Sequence, residues 1–514
     1  MTTGTGPPRS ASSGPLVART YHTALGLVAL AAWISLARQV HLLMGPDGLL
    51  PAQPLLDALA RGGAGLLDAP SLLRLTGASS AALTALVTAG ILLSLAQTLG
   101  LAARLAAALQ APLYLSFVVA GRTFFQFQWD QLLVESLALA ALFPRDRRAP
   151  VAHALFRVLF VKLYLESGIA KWQSHLHDWQ EGSAMAHYYE TAPLPGPLAP
   201  LLHALPAWWH RLESWAVLGL ELLLPPLALV PRRLPRLVAA LALAAFQLLN
   251  LASASYGFFV LLSLALHLFL VGDDDLARAG RALARLPLVA PLVRLAARLR
   301  RTRLEQAATI PATPAPTARS RVADAVLAGA VALPWLGLSA VEALDHFAPA
   351  TWTTAQRLLT TLEPVRAELA PLRLANAYHL FGHITTERIE PELETSVDDG
   401  ATWQRHAFRY KPGDPARWPG LAAPHQPRVD FQLWFYALQY RAGEPAWVSA
   451  LMARACRAPA LIAPLFTAPL PSSPHLVRFA FERARFATPD ERRATGRVWI
   501  RQPVALGRAV DCRR

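Results

Sequence analysis

Residues 157–197 read RVLFVKLYLESGIAKWQSHLHDWQEGSAMAHYYETAPLPGP. The first half is an apolar helix with Lys162 and Glu166 in its interior. The second half is a polar loop that carries Trp172, Trp179, Tyr188 and Tyr189 and is closed by Pro193 and Pro195. Leucine and alanine dominate on both sides. The stretch predicts a membrane-spanning helix that delivers the chain into a folded outer loop, with charge left at bilayer depth. An ionisable side chain there is costly unless it is paired or hydrated, so it marks either function or a structural salt bridge. Lys162, Lys171 and Lys411 are the only lysines in an arginine-biased chain, and two of them fall in this stretch.

Outward from this stretch, the chain of 514 residues is 54% hydrophobic and 16% charged. Long apolar runs recur over the first 345 residues, which is the composition of a multi-spanning membrane protein. The net charge of +15 comes from arginines grouped in loops, as the positive-inside rule expects, and does not call for nucleic acid. The predicted fold class is an α-helical multi-spanning membrane bundle of about eight to nine transmembrane helices, followed by a small β-rich, sandwich-like extracytoplasmic domain. Spans are predicted near 22–43, 79–99, 101–120, 127–143, 151–171, 213–230, 234–251, 255–271 and 322–341. The predicted domains are a disordered tail (1–20), the bundle (21–272) with its outer loop 172–212, a basic cytoplasmic amphipathic segment and linker (273–321), a last transmembrane helix (322–341) and the β-rich domain (342–514). Arginines at 104, 145, 147, 148, 232, 233, 236 and from 278 to 321 put one set of loops in the cytoplasm with the N-terminus. The loop 172–212 and everything after residue 342 then face the lumen or periplasm.

In the β-rich part, NAYHLFGHITTERIEPELETSVDDGATWQRHAF (376–408) shows alternation and a turn at Asp398–Gly400. HLVRFAFERARF and RVWIRQPV predict further strands, with a helical insertion around 430–460. Cys456 and Cys512 lie in this part; they either form one disulfide, if that end faces an oxidising compartment, or remain thiols.

Several polar residues fall inside predicted spans. Lys162 lies roughly 15 Å from the outer end of its helix, with Glu166 one turn nearer the surface on the same face. Asp130, Glu135 and Glu221 enter from the outer side, so Lys162 is expected to pair with Glu135 or Glu221. Asp130, Glu135, Lys162, Glu166 and Glu221 form a structural polar cluster on this reading. If the chain is an enzyme, Lys162, Glu166, Glu135 and Glu221 are its catalytic candidates. The loop residues Trp172, Trp179, His187, Tyr188, Tyr189, Glu190, Pro193 and Pro195 suit protein recognition, because a proline-fixed aromatic loop loses little entropy on binding. Lys411, His425, Gln426, Arg428, Asp430 and Trp434 are turn-rich candidates for the same surface; the plainer alternative is an Arg428–Asp430 or Lys411–Asp414 network that fixes loop shape. His175, His177, His187 and Asp178 match no metal-ligand spacing, and no metal or cofactor is expected. A G-x-S-x-G elbow, a Walker loop, an H-E-x-x-H helix and a G-x-G-x-x-G fingerprint are absent.

FFQFQWDQLLVES (124–136), FRVLFVKLYLESGIAKW (156–172), HYYETAPLPGPL (187–198), NAYHLFGHITTER (376–388), ELETSVDDGATW (392–403) and RYKPGD…APHQPRVDFQLWFYAL (409–438) resemble, in order, the lipase maturation factor family. The resemblance covers most of the chain from about residue 120. It implies a multi-pass protein of the endoplasmic reticulum membrane, or of the inner membrane in a bacterium, that assists an exported client such as a lipase. The histidine of HYYETAP stands one position away from its place in the family pattern, and Ala192 replaces a glutamine. More distantly, the helical half resembles the membrane domain of vitamin K-dependent carboxylases, which implies the alternative of an intramembrane enzyme acting on a lipid, quinone or protein side chain.

Overall fold

The computed structural model describes residues 15–145, 149–285, 291 and 318–513. Its first helix, α1 (Pro15–Ala37), is followed by α2 (Ser80–Leu99), α3 (Ala103–Ala120), α4 (Gln128–Ala141) and α5 (Pro150–Trp172). Local chemistry sets these limits. The Ser79 side chain accepts the Ala82 N–H at 3.2 Å to start α2, and Gly100, at φ 77°, ends it in the left-handed conformation that glycine tolerates. Then come α6 (Ala184–Thr191), α7 (Ala207–Leu223), α8 (Arg233–Ser253), α9 (Phe259–Leu266), the long α10 (Ala318–Phe347) and α11 (Thr353–Leu369).

Among the described residues, 5 helices are long and apolar enough to cross a membrane: α1, α2, α3, α7 with its extension to Leu229, and α8. The expected count of eight to nine is larger. The difference lies in four predicted spans: α4, which has 14 residues, α5, whose Arg157, Lys162, Glu166 and Lys171 lower its hydropathy, α9, which with its extension is only the short apolar helix Phe259–Leu270, and α10, which is not among the five. The expected tail also shortens, since residues 15–20 already belong to α1. The predicted basic segment and linker are described only as a helix at Asp273–Leu283; most of their remaining residues, and 1–14, lie outside the described residues.

In the bundle α1 packs on α2, α3 on α4, and α5 on both α7 and α10. Gly168 of α5 faces the backbone of Glu221 on α7, where a Cβ would stand 3.0 Å from the Glu221 carbonyl carbon, so glycine permits this close helix crossing.

The C-terminal module is one antiparallel sheet ordered β2–β1–β3–β4, built from β1 (Arg388–Ser396), β2 (Gln404–His406), β3 (Leu476–Phe486) and β4 (Trp499–Leu506), with β5 (Val510–Asp511) also on β3. Helices α12 (Arg428–Leu438) and α13 (Ala446–Arg457) pack on β1 and β3. The expected sandwich is therefore replaced, among the described residues, by one sheet backed by helices. Antiparallel register puts Glu390 opposite Glu482 and Glu394 opposite Arg478, so the even-numbered residues of β1 share a charged face. Their odd-numbered neighbours pair with Val477, Phe479 and Phe481 on the apolar face, where Tyr436 of α12 meets Phe479 and Phe481. Cys456 of α13 and Cys512 form a disulfide that ties the chain end to this layer. Residues 376–387, expected to begin a strand, are an irregular segment that enters the bundle.

Candidate functional site

Six charged residues of the membrane half, Asp130, Glu135, Lys162, Glu166, Lys171 and Glu221, lie at the join with the C-terminal half. Lys162 on α5 donates to Ser339 Oγ of α10 at 2.8 Å and lies 3.6 Å from Glu135 of α4. Glu135 in turn accepts hydrogen bonds from Trp335 Nε1 (3.0 Å), Asn376 Nδ2 (2.9 Å) and the Tyr378 hydroxyl (2.5 Å). Glu166, one turn along α5, accepts the backbone N–H of Tyr378 at 2.8 Å. One i,i+4 pair on α5 thus grips α4, α10 and the segment 374–378 together.

A second grip lies at the C-terminal end of α5. Lys171 pairs with Glu221 of α7 at 2.7 Å and donates to the Leu380 carbonyl at 2.8 Å. Asp178 accepts the Ile384 N–H at 2.7 Å, and Trp179 Nε1 donates to the Phe381 carbonyl at 3.2 Å. Lys162 therefore chooses Glu135 of the two expected partners, while Glu221 serves Lys171.

A third grip is Arg428 at the start of α12. Its guanidinium makes a fork to both oxygens of Asp130, at 2.7 and 2.8 Å, and donates to the Phe124 carbonyl at 2.6 Å. The Tyr114 hydroxyl donates to Asp130 at 2.6 Å, and the Phe125 ring lies 3.6 Å from the guanidinium carbon. All polar atoms of a buried fork of this kind need partners, and this set supplies most of them. The expected Arg428–Asp430 network does not form. Residues two apart on a helix point away from each other, and Asp430 instead accepts the N–H groups of Tyr410 (3.0 Å) and Lys411 (3.2 Å). Burial pushes the Asp430 carboxyl up to about 6. The residues before Arg428 complete this grip: the Gln426 N–H donates to Ser35 Oγ at 2.9 Å, His425 Nδ1 lies 2.9 Å from the same oxygen, and Gln39 Nε2 donates to the Gln426 carbonyl at 2.8 Å.

The fourth grip reverses the roles, since the loop 172–212 now supplies acceptors. Arg388 of β1 donates to the carbonyls of Glu190 (3.0 Å), Ala192 and Pro193 (3.2 Å). Glu190 accepts the Phe486 N–H at 2.7 Å, and Trp434 Nε1 donates to the Thr191 carbonyl at 2.7 Å. Glu390 joins Arg388 and Lys411, the latter at 2.5 Å, in place of the expected Lys411–Asp414 contact. Burial would raise the Glu390 carboxyl, but the two cations hold it below its ordinary range, while burial lowers Lys411. Glu392, next on the same face, is raised by burial to about 7 although Arg501 lies 2.8 Å away.

The predicted recognition residues are therefore largely interior. Trp179, Tyr188, Tyr189, Pro193, Pro195, Lys411, Gln426, Arg428 and Asp430 are buried. The Tyr188 hydroxyl lies 2.9 Å from that of Tyr256, Tyr189 donates to Glu213 at 2.7 Å, and Pro195 bridges to Ala254. His187, Glu190, His425 and Trp434 are half-buried, and Trp172 is 59% exposed. Reasoning from the sequence missed Tyr114, Ser339, Trp335, Asn376, Tyr378, Arg388 and Glu390. The glutamates alternating along RIEPELETS were the one signal for the last two, because alternation places them on a single face. Among the described residues no group of three or more His, Cys, Asp or Glu side chains could hold a metal. Chemically, these six charges each meet a partner, and the set binds two halves of one chain.

Comparison with known proteins agrees with this division. The profile of the lipase maturation factor transmembrane domain matches residues 16–278, and that of the lipase maturation factor C-terminal domain matches residues 374–506. Lipase maturation factor 2 of Rattus norvegicus is 30% identical over 522 residues, spanning 83% of this chain and 73% of the relative. The Homo sapiens protein of that name is 30% identical over 526 residues (83% and 72%), and lipase maturation factor 1 of Bos taurus is 29% identical over 512 residues (93% and 86%). No solved structure matches. With profiles matched on both sides of the join and a relative at 30% identity, this multi-pass membrane protein belongs to the lipase maturation factor family.

Proposed function

We propose that the chain is a membrane-anchored maturation factor that assists exported proteins such as lipases on the side of the membrane bearing the C-terminal module. The observation that carries this reading is the use of the intramembrane charges. Lys162, Glu135, Glu166, Lys171, Glu221 and Asp130 all close on residues that fix the C-terminal half. A rigid two-part scaffold held against the bilayer presents one continuous face to a client. On this reading Trp172, with the half-buried His187 and Trp434, forms the reachable part of the recognition set. The buried residues Trp179, Tyr188, Tyr189, Pro193, Pro195, Lys411, Gln426, Arg428 and Asp430, with the half-buried Glu190 and His425, hold that face in shape.

In the same reading α4, α5, α9 and α10 cross the membrane with the five apolar spans, giving nine crossings, the upper of the expected eight to nine, and the N-terminus is cytoplasmic. The Cys456–Cys512 disulfide supports an oxidising lumen or periplasm for the module. The membrane is that of the endoplasmic reticulum, or the inner membrane in a bacterium.

The test is complementation of a host lacking the gene, with the activity and amount of each exported hydrolase as readout. Wild type and a normally inserted chain carrying Lys162→Met with Glu135→Gln, which leaves neither charge unpaired, should both restore hydrolases that are made but inactive; a chain ending before residue 374 should insert and restore none. If the exported proteome is intact and a lipid or a protein modification is lost instead, and the double variant fails to restore it, the scaffold reading is wrong.

A further inference from the structure

At the end of α3, on the side that carries the C-terminal module, lies a cavity of about 460 Å³ that shares only the Phe125 ring with the third grip. One wall is Val118 and Val119, the last turn of a membrane-crossing helix; the other is the end of α11 and the turn after it. Two arginines line it, Arg122 and Arg373. Both have left-handed backbone, with φ 47° and 51°, a conformation rare for side chains other than Gly, Asn and Asp. Such outliers cluster where the surrounding structure positions a side chain for a task.

Arg122 is the more telling of the two. One terminal nitrogen donates to the Pro51 carbonyl at 2.9 Å, while its Nε is buried with no hydrogen-bond partner. Burial lowers its pKa, and no carboxylate offsets that effect. Arg373 makes no ion pair among the described residues; Glu342 is its electrostatic neighbour. The amides of Gln126 and Gln131 add donors to the lining. The one carboxylate there, Asp68, has Oδ2 taken up by the Gly65 N–H at 2.5 Å.

Two guanidiniums and two amides around an apolar wall at headgroup level describe an anion with a hydrocarbon body. We propose that this cavity binds the phosphate of a glycerophospholipid, with its acyl chains along Val118 and Val119 of α3. Arginine forks match phosphate oxygens in pairs, and the acyl contact distinguishes the lipid from free phosphate.

The experiment uses the full chain in detergent, stripped of lipid, and reads bound ligand by native mass spectrometry. The probes are dioleoyl phosphatidylglycerol, dioleoylglycerol with the same tails but no phosphate, and inorganic phosphate. Phosphatidylglycerol should bind, dioleoylglycerol should not, and millimolar inorganic phosphate should fail to displace the lipid. Arg122→Gln with Arg373→Gln should weaken binding about tenfold or more, since each removes a charge-assisted contact. Arg373→Gln alone, an exposed change that keeps the fold, should weaken it by about threefold or more. Equal binding of dioleoylglycerol, displacement by inorganic phosphate, or unchanged affinity in the folded Arg373→Gln chain would each overturn the proposal.

Discussion

In the bundle, Lys162, Lys171 and Asp130 each meet one opposite charge while Glu166 meets a backbone N–H, and the partner or the backbone so held can lie far along the chain. Arg428 stands 298 residues from Asp130, and Tyr378 is 212 residues from Glu166. In the sheet, the buried charges form a lattice on one face. Glu394 is shared by Arg405 and Arg478, Glu482 by Arg405 and Arg501, and Glu390 by Arg388 and Lys411. The difference follows from the solvent. In lipid an unpaired ion has no water to fall back on, so a lone pair is a strict register mark between segments. In a water-facing module several charges can share partners, and the loss of one is spread over the rest.

The largest expected effect comes from breaking the most isolated pair. Arg428→Ala leaves Asp130 buried without a counter-ion, which typically costs about 3–5 kcal/mol. The C-terminal module should undock while the bundle stays inserted, seen as fast proteolysis in the segment 370–388 with unchanged membrane extraction. Arg428→Leu combined with Asp130→Leu should recover most of the loss, because an apolar pair of similar size is often as stable as a buried ion pair. A double change that is no better than Arg428→Ala would mean that the fork's bonds to Phe124 and Tyr114, and not the charge pair, hold the module.

The next effect belongs to the disulfide. Cys456→Ser with Cys512→Ser opens a loop of 56 residues, worth about 2–4 kcal/mol. Because β5 and the chain end hang from β3 and α13, the loss should fall on the module alone, and the thermal transition of the bundle should not move. A smaller effect is expected inside the lattice. Arg501 touches Glu392 at 2.8 Å and Glu482 at 3.3 Å, but Glu482 keeps Arg405 at 2.6 Å. Arg501→Gln should therefore cost roughly 1–2 kcal/mol in denaturant unfolding. A loss as large as that of Arg428→Ala would erase the contrast between lattice and lone pair.

What was legible in the sequence divides along the same line. The partner of Lys162 could be narrowed to Glu135 or Glu221, because charges at equal depth in neighbouring spans have few choices, and the structure picks Glu135. Strands β1, β3 and β4 were legible from alternation of apolar and charged residues. PHQPRVD was conspicuous, but nothing in its spacing pointed to an acceptor 298 residues away, so a local Arg428–Asp430 network was the plainer expectation and a client-contact surface the other. NAYHLFGHI read as a strand because its aromatic residues alternate. It is instead an irregular segment whose backbone N–H groups meet Glu166, Gln128 and Asp178. Backbone donors leave no mark in a side-chain pattern, which is why the join between the halves was invisible.

The smallest effect tests whether that join responds to acid. His425 lies at the contact between module and α1, with Nδ1 2.9 Å from Ser35 Oγ. Burial holds it well below its ordinary value, at about 4, and the positive charges of Arg38 and Arg428 push in the same direction. The folded chain keeps this imidazole neutral where the unfolded chain would protonate it. Its contribution is therefore fully present above about pH 6.5 and is lost as the pH falls from there toward 4, at no more than about 1.4 kcal/mol per pH unit. Asp430, raised to about 6, works in the opposite sense, because its proton is bound more tightly in the folded state. The net slope of the wild type mixes the two, so the difference between chains is the measurement. Between pH 7 and 5, His425→Gln should lose less stability than the wild type, by hydrogen exchange at residues 424–430. Parallel profiles would place the acid response elsewhere in the module and leave the Ser35 contact as a plain hydrogen bond.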